Sequence, residues 1–193
     1  MTPPEIVLAS GSRHRADLLR RLRLPFRSHS PDIDESPHPG EPPDALARRL
    51  SEAKARAVAR LLPGHLVIGS DQVAACEGRL VGKPGDRDTA RAQLCASSGR
   101  TLSFHTGLCV LAPDGSAHHH LDLTRVRFRP LDTAGIERYL DAEDVLDCAG
   151  SFRVEGLGIS LFEAVETSDP TALVGLPMIA LADILRGLGV TLP

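Results

Sequence analysis

The chain begins with a short apolar run that is followed by a polar turn and a helical repeat. Residues 6–9 read Ile-Val-Leu-Ala, which predicts a strand, and residues 10–15 read Ser-Gly-Ser-Arg-His-Arg. Three leucines at helical spacing come next, at Leu18, Leu19 and Leu22. The pattern therefore predicts a strand, a turn and a helix that opens at about Ser12.

A second apolar run predicts another buried strand. Residues 66–68 read Leu-Val-Ile, and the run ends abruptly in Gly69, Ser70 and Asp71. Because Gly, Ser and Asp are depleted in strands or favour turns, we expect this strand to stop near Gly69 and to leave Asp71 at its end.

The longest amphipathic pattern predicts a helix from about Asp44 to Leu62. Lys54 lies inside the apolar arc of this helix. It either extends its stem outward to water or projects into a cleft toward a carboxylate or phosphate, and periodicity leaves both open. At roughly 100° per residue, the apolar face consists of Leu46, Leu50, Ala53, Ala57 and Leu61.

The second half of the chain continues with strands and helices, without repeats or a low-complexity linker. The predicted elements are a strand from Thr101 to Ala112, a Pro-Asp-Gly turn at 113–115, a return strand from Leu121 to Phe128, a helix from Thr133 to Leu140, strands around Phe152 and at 159–162, and a helix opening at Pro177. Arginines alternate with apolar residues at 125–129, as on a solvated sheet face. The mixture predicts one α/β domain over residues 1–193.

Composition narrows the class of protein. Hydrophobic residues make up 42% and charged residues 24% of the 193 positions, which is enough for a core and for ordinary solubility. Aromatic residues are scarce at 3%, so the core must be mostly aliphatic. A net charge of −3 offers no reason to expect nucleic acid or an anionic membrane as partner.

Targeting and redox signals favour a cytoplasmic protein. The first five residues, Met-Thr-Pro-Pro-Glu, lack the basic and apolar regions of a signal peptide, and no apolar run approaches the ~18 residues of a membrane helix. The four cysteines show no CxxC spacing, so we expect reduced core thiols and no zinc. The histidine triplet at 118–120 follows the Pro-Asp-Gly turn, and we place it at a hairpin tip without a metal role.

Asp71 is the first candidate for chemistry. Ligands of open α/β sheets bind beyond the carboxyl ends of strands, and an unpaired carboxylate there is poorly explained by packing. The alternative is an aspartate that forms a turn and caps the next element.

The predicted start of the first helix carries Arg13, His14 and Arg15. Cations oppose the helix dipole at this end by about 0.3–1 kcal/mol each. A bound anion would relieve the conflict, since backbone N–H groups and cationic side chains would then face one ligand. We therefore predict a phosphate site, with solvated side chains as the alternative.

Two short motifs add to the candidate chemistry. In Gly82-Lys83-Pro84, the glycine leaves space beside the backbone and the lysine supplies a positive charge. Such a tripeptide nevertheless occurs often by chance. Residues 32–35 read Asp-Ile-Asp-Glu in a loop rich in Pro and Ser. One or two of these carboxylates near a phosphate would suit Mg²⁺, which takes carboxylate oxygens together with substrate phosphates. The alternative is a solvated acidic loop.

Taken in order, these motifs closely resemble those of the Maf family of nucleotide pyrophosphatases. The resemblance runs from Ile6 to about Gly187. The matching segments are Leu-Ala-Ser-x-Ser-x-x-Arg at 8–15, the leucine pair at 18–19, Asp-Glu at 34–35, Glu-x-Lys at 52–54, Asp71, and Gly-Lys-Pro at 82–84. The family fold is an elongated mixed β-sheet with flanking helices and two lobes around a central cleft, as in Ham1-like proteins, commonly as a homodimer.

The resemblance implies hydrolysis of the α–β phosphoanhydride of a nucleoside triphosphate. Asp71 would act as general base, or would orient the attacking water through a bound divalent cation, Mg²⁺ or Mn²⁺, that Glu35 helps to hold. Further residues would bind the polyphosphate. They are Ser10, Ser12, Arg15, Lys54 and Lys83.

Within the family, the chain is similar to the branch that prefers 7-methyl-GTP. It reads Ser-Asp-Gln at 70–72 and Gly-Ser-Phe-Arg-Val-Glu-Gly at 150–156. Glu155 could accept the adjacent N–H donors of guanine, and Gln72 could reach O6. His14 stands where the branch commonly has an aromatic residue, which affects stacking on the base. The alternatives are a dTTP/UTP pyrophosphatase, which Gln72 and Glu155 disfavour, and a non-catalytic nucleotide sensor linked to cell division.

Overall fold

The structure is a computed structural model that describes residues 4–193, so Met1 to Pro3, the start of the segment weighed as a signal peptide, lie outside it. The helices are α1 Arg13–Arg20, α2 Pro43–Leu61, α3 Arg87–Ser97, α4 Thr133–Ala142 and α5 Met178–Gly187. The strands are β1 Ile6–Leu8, β2 Phe26–Ser28, β3 Leu66–Cys76, β4 Arg79–Val81, β5 Thr101–Leu111, β6 Ala117–Phe128 and β7 Phe162–Glu166. Two 3-10 helices span Leu157–Leu161 and Ala172–Val174.

The strands form one mixed sheet in the order β2-β1-β3-β5-β6-β7, with β4 pairing with β3 off this path. β1 is parallel to both β2 and β3, so that Ile6 lies opposite Phe26 and Leu66. The connections β1-α1-β2 and β2-α2-β3 carry the helices that parallel strands require. The mixed α/β sheet predicted from the sequence is confirmed.

The described chain divides into two compact units. The first comprises residues 4–72, 106–122 and 169–193, and the second comprises Val73–His105 and Leu123–Ser168. Within the described residues, no helix combines the length and the apolar character needed to cross a bilayer.

The first unit has an aliphatic core on both faces of its strands. Leu8, Ile68 and Leu108 pack with residues of α1 and α5 in one buried cluster. Val7, Val67 and Cys109 pack with α2 in the other. This alternation follows from the two-residue period of a strand, and it explains why the apolar runs at 6–9 and 66–68 are continuous.

The second unit is organised around aromatic rings. Phe152 packs edge-to-face against Phe104, Phe128 and Phe162 with ring centroids 5.4, 5.6 and 4.8 Å away. Four of the five phenylalanines of the chain meet in this cluster, since Phe128 also contacts Phe162 at 5.0 Å. The scarce aromatic residues are therefore concentrated in one place.

Three predictions about strands are wrong. β3 does not stop at Gly69 but continues to Cys76, so Asp71 lies inside a strand. Phe152 lies in a loop, and the predicted strand at 159–162 is mostly a 3-10 helix, with β7 starting at Phe162. Pairing with β4 extends β3 beyond its local propensity, and the positive φ of Gly150 turns the chain before Phe152.

Smaller differences concern the histidine triplet, the buried face of α2 and the cysteines. The histidines at 118–120 belong to β6 and not to the hairpin tip. The buried face of α2 is rotated from the predicted one, because Ala47, Ser51 and Ala55 are buried whereas Leu61 is 64% exposed. All four cysteines are free thiols, but Cys95 is exposed and not in the core.

Candidate functional site

A buried lysine and two carboxylates form the centre of the candidate site. The Nζ atom of Lys54 lies 2.6 Å from Oδ1 of Asp71 and 2.9 Å from Oε1 of Glu35. Lys54 and Asp71 are 6% and 7% exposed, whereas the Glu35 side chain is about half exposed. Lys54 therefore projects toward carboxylates instead of reaching outward to water, which decides between the two alternatives.

Close backbone contact between α2 and the sheet places Lys54. An ideal Cβ on Gly69 would lie 2.2 Å from the carbonyl oxygen of Ser51. On the neighbouring strand, a Cβ on Gly107 would lie 2.3 Å from the carbonyl oxygen of Ala47. With hydrogen in place of a side chain at both glycines, α2 rests directly on β3 and β5. Asp71 follows Gly69 on the same strand face and so meets Lys54.

The loop that carries Glu35 is held by a bidentate ion pair. Arg49 of α2 donates from Nε to Oε1 of Glu41 at 2.7 Å and from Nη2 to Oε2 at 2.8 Å. The same Nη2 donates to the carbonyl oxygen of Ser36 at 2.9 Å. The hydrogen bonds from Arg49, followed by one from the backbone N–H of His38, lower the pKa of Glu41 to about 2. A loop without secondary structure thereby presents Glu35 in a defined position.

The N-terminus of α1 has the polar groups of a phosphate site. Ser12 is the N-cap of the helix, and its Oγ accepts from the backbone N–H of Arg15 at 3.4 Å. Oγ of Ser10 accepts from the N–H of Ser12 at 3.1 Å and from Nη1 of Arg15 at 3.4 Å. Arg13 is exposed, and His14 is half-buried in the same turn. Arg15 therefore stays beside the helix N-terminus, as an anion site requires.

A second bond fixes the Arg15 side chain. Its Nε donates to the carbonyl oxygen of Gly175 at 2.8 Å. Burial lowers the pKa of Arg15, while the negative charges of Asp71 and Glu35 act in the opposite direction. The guanidinium is thus electrostatically linked to the Lys54 cluster and is held in place by the loop before α5.

Ser70 and Gln72 flank Asp71 on β3 and point to the opposite face of the strand. Ser70 is fully buried, and its hydroxyl lies 2.8 Å from the carbonyl oxygen of Gly107 and 3.0 Å from that of Gly175. Nε2 of Gln72 donates to the carbonyl oxygens of Ala172 at 2.8 Å and Leu173 at 3.0 Å. Both side chains therefore anchor the loop that holds Arg15.

Two predicted residues belong to the second unit. Lys83 is exposed in the turn after β4, and Glu155 is exposed in the turn before the 3-10 helix at Leu157–Leu161. The other residues predicted to bind phosphate or metal lie together in the first unit. They are Ser10, Ser12, Arg15, Glu35, Lys54 and Asp71.

The donor set suits a hard divalent cation that the substrate helps to bind. Across residues 4–193 no three His, Cys, Asp or Glu side chains are grouped as a metal site. Glu35 and Asp71 nevertheless lie close together, since both carboxylates contact the Lys54 ammonium. Mg²⁺ is commonly held by one or two carboxylates, waters and substrate phosphates. Glu35 and Asp71 therefore fit this role.

The sequence did not point to several residues that build the site. The carbonyl of Gly175 accepts from Arg15 and lies 3.0 Å from the hydroxyl of the fully buried Ser70, and Arg49 holds the loop of Glu35 through the carbonyl of Ser36. Gly175 has a φ of 121°, which glycine adopts easily, and it precedes Leu176 and Pro177. This Gly-x-Pro turn was the local signal that could have marked the loop.

Comparisons with known proteins give a consistent result. The family model described as Maf-like protein matches residues 5–188. A Xanthomonas oryzae pv. oryzae protein named 7-methyl-GTP pyrophosphatase is 58% identical over 190 residues, covering 98% of this chain and 100% of that protein. A Pseudomonas syringae pv. tomato protein of the same name is 51% identical over 191 residues, covering 98% and 100%.

A solved structure supports the fold. The Ham1 protein of Staphylococcus aureus superposes with a TM-score of 0.53 at 13% sequence identity, covering 95% of this chain and 98% of that chain. At this identity the likeness concerns the fold alone, and it agrees with the Ham1-like mixed sheet predicted from the resemblance. Since the family model spans nearly all of the described residues and relatives more than half identical extend over almost the whole length, the chain belongs to the Maf family.

Proposed function

We propose that this chain hydrolyses the α–β phosphoanhydride of 7-methyl-GTP, releasing 7-methyl-GMP and pyrophosphate. The observation that carries the proposal is the buried contact of 2.6 Å between Lys54 and Asp71, next to an arginine and two serines at a helix N-terminus. A carboxylate and cations in one place suit water attack on a polyphosphate. The name shared by the relatives from Xanthomonas and Pseudomonas supports the choice of substrate.

In the proposed reaction, a water molecule attacks the α phosphorus while its proton passes to the Asp71 carboxylate. The bond between the α phosphorus and the bridging oxygen breaks, and pyrophosphate leaves. Lys54 keeps Asp71 oriented and balances its negative charge. A divalent cation held by Glu35 and Asp71 would supply Lewis-acid stabilisation of the phosphate oxygens.

The phosphate chain is assigned to the N-terminus of α1. The Ser12 hydroxyl and the adjacent backbone N–H groups lie where a helix binds anions, and Arg15 adds a fixed positive charge. Lys83 is assigned to the polyphosphate by the resemblance. Positioning and charge neutralisation of this kind account for most of the catalysis in phosphoryl transfer.

Recognition of the base is assigned to Glu155 and His14. A carboxylate accepts both the N1–H and the N2 amino group of guanine, and the positive charge of the N7-methylated base favours an anionic partner. A pyrimidine lacks the paired donors, so Glu155 would lose its partners with dTTP or UTP. Gln72 remains a specificity candidate, but its amide nitrogen already donates to Ala172 and Leu173.

Three broader assignments accompany the proposal. We infer that residues 1–193 form a single domain, that the protein acts in the cytoplasm on a small nucleotide, and that two copies form a homodimer. Light scattering coupled to size-exclusion chromatography tests the last assignment, since a monomer mass at working concentration contradicts it.

The enzymatic test is pyrophosphate release from 7-methyl-GTP, GTP, dTTP and UTP with Mg²⁺ or Mn²⁺. We expect selective turnover of 7-methyl-GTP that is lost in Asp71→Asn, because the general base is removed at constant shape. Asp17→Asn is the matched control, as it makes the same change at an exposed carboxylate of α1.

Other outcomes separate the alternatives. Preferred turnover of dTTP or UTP would retain the role of Asp71 and contradict the assignment of Glu155. Nucleotide binding by a folded sample without pyrophosphate release would support the non-catalytic sensor instead.

A further inference from the structure

Gln93 of α3 forms hydrogen bonds at both ends of its side-chain amide. Its Nε2 donates to the carbonyl oxygen of Gly82 at 3.1 Å, and its Oε1 accepts from the hydroxyl of Ser151 at 2.6 Å. Gly82 and Ser151 are far apart in the chain, and both belong to the second unit. One amide therefore joins two separate loops.

The loop at Ser151 is tightly constrained. Ser151 is fully buried and has a φ of +61°, a left-handed conformation that is unfavourable for a residue with a side chain. Its N–H donates to the carbonyl oxygen of Cys148 at 3.0 Å, and the next residue, Phe152, anchors the cluster of aromatic rings. Such strain persists only where the surroundings enforce it, and the bond to Gln93 is part of that enforcement.

The loop at Gly82 is short and carries Lys83. It follows β4, and two bonds tie it to its surroundings: the carbonyl of Gly82 accepts from Gln93, and the N–H of Gly85 donates to the carbonyl oxygen of Leu146 at 3.1 Å. Because Lys83 is exposed, its own packing does not fix the direction of its backbone. The bond from Gln93 to the preceding residue is one of the contacts that fix it.

We propose that Gln93 is a positioning residue that couples the phosphate-binding turn at Lys83 to the base-binding segment that runs from Ser151 to Glu155. The inference rests on the proposed function, which assigns these roles to Lys83 and Glu155. An amide suits the task because it donates and accepts at once, whereas an ionised carboxylate only accepts and an ammonium only donates. Gln72 and Gln93 are the only two glutamines of the sequence, and both donate to backbone carbonyls.

The proposal predicts an effect on substrate binding more than on chemistry. In Gln93→Met, which removes both hydrogen bonds at similar size, we expect KM for 7-methyl-GTP to rise about tenfold while kcat falls less than about twofold. The Lys54–Asp71 pair belongs to the first unit, so we expect this substitution to leave it unchanged. The preference for 7-methyl-GTP over UTP should fall, since Glu155 is no longer held.

Ser151→Ala and the double variant test the bridge itself. If Gln93 acts through Ser151, the double variant should raise KM no more than Gln93→Met alone, because the two changes remove one shared interaction. Ala92→Ser is the control, since Ala92 is an exposed neighbour on the same helix. Hydrogen exchange should increase in both loops, at 82–85 and at 151–156, in Gln93→Met but not in the control.

The outcomes distinguish the inference from the proposed function. An active wild type whose KM and selectivity do not change in Gln93→Met overturns the inference alone, as does a lower unfolding temperature with no change in KM. Titration calorimetry of 7-methyl-GTP with the Asp71→Asn variant measures affinity without turnover. Adding Gln93→Met to that variant should weaken binding about tenfold. Absence of both turnover and nucleotide binding in folded wild type overturns both proposals.

Discussion

Gly69 and Ser51 touch through their backbones: a Cβ on Gly69 would lie 2.2 Å from the carbonyl oxygen of Ser51 and 2.8 Å from the amide nitrogen of Ala55. Helix α2 can approach β3 this closely only because residue 69 has no side chain. Lys54 and Asp71 are carried by these same two elements, so the separation of α2 and β3 sets the distance between them.

Gly69→Ala should therefore damage both stability and activity. The added methyl group cannot be accommodated by a flexible side chain, because its nearest neighbours are backbone atoms. We expect a loss of about 1–3 kcal/mol in the free energy of unfolding, measured by urea denaturation, and at least a tenfold loss of kcat/KM. Gly187→Ala is the control: nothing lies within 4 Å of its Cβ, so its stability should be unchanged or higher. Equal stability in the two variants would contradict the close contact.

Gln72→Glu should separate an anchoring role from a role in base recognition. The new carboxylate would face the carbonyl oxygens of Ala172 and Leu173 where Nε2 now donates at 2.8 and 3.0 Å. We expect a loss of about 1–3 kcal/mol in unfolding free energy and a similar fall in kcat/KM for every nucleotide, because the loop that holds Arg15 is displaced. A change confined to the ratio of 7-methyl-GTP to UTP turnover would instead assign Gln72 to the base.

The stability of the chain should fall in acid partly through Glu41. Its pKa is about 2 in the folded chain, below the ordinary 4.5, because Arg49 donates two hydrogen bonds to it. Glu41 therefore stabilises the fold above about pH 4.5, and this contribution is lost as the pH falls toward 2. In Glu41→Gln, the urea midpoint should be lower at pH 6 and should change less between pH 4.5 and 2. An unchanged pH profile would contradict the ion pair.

Thiol labelling should distinguish exposed from buried cysteines. Burial raises the pKa of Cys109 to about 12, with the negative charge of Glu52 adding to the effect, whereas Cys95 is exposed on α3. Because the thiolate is the reactive form, maleimide at pH 8 should modify Cys95 in the folded protein and Cys109 only after unfolding in urea. Peptide mass spectrometry reads both sites. Modification of Cys109 at the rate of Cys95 would contradict its burial.

Local features of the fold could be predicted from the sequence. Ser12 caps α1 where the sequence places the start of this helix, and the start of α2 and the hairpin between β5 and β6 fall close to their predicted positions. These features depend on hydrogen bonds and periodicities within a few residues, which a sequence displays directly.

The errors arose where distant contacts override local preference. β3 runs through Gly69 and Asp71 because neighbouring strands pair with it, although these residue types disfavour strands. Phe152 packs in an aromatic cluster whose other members come from separate segments of the chain. Its burial therefore does not require the strand that the sequence predicted there.

The sequence by itself determined which side chains were available for chemistry, and in which order, and it placed Asp71, Lys54 and Arg15 on recognisable motifs. Only the tertiary structure decided that Lys54 turns to Asp71, that Arg49 fixes the loop of Glu35, and that Arg15 is held by a carbonyl 160 residues away in the chain. No local pattern encodes such bonds, because they form only when helices and strands distant in sequence pack against each other.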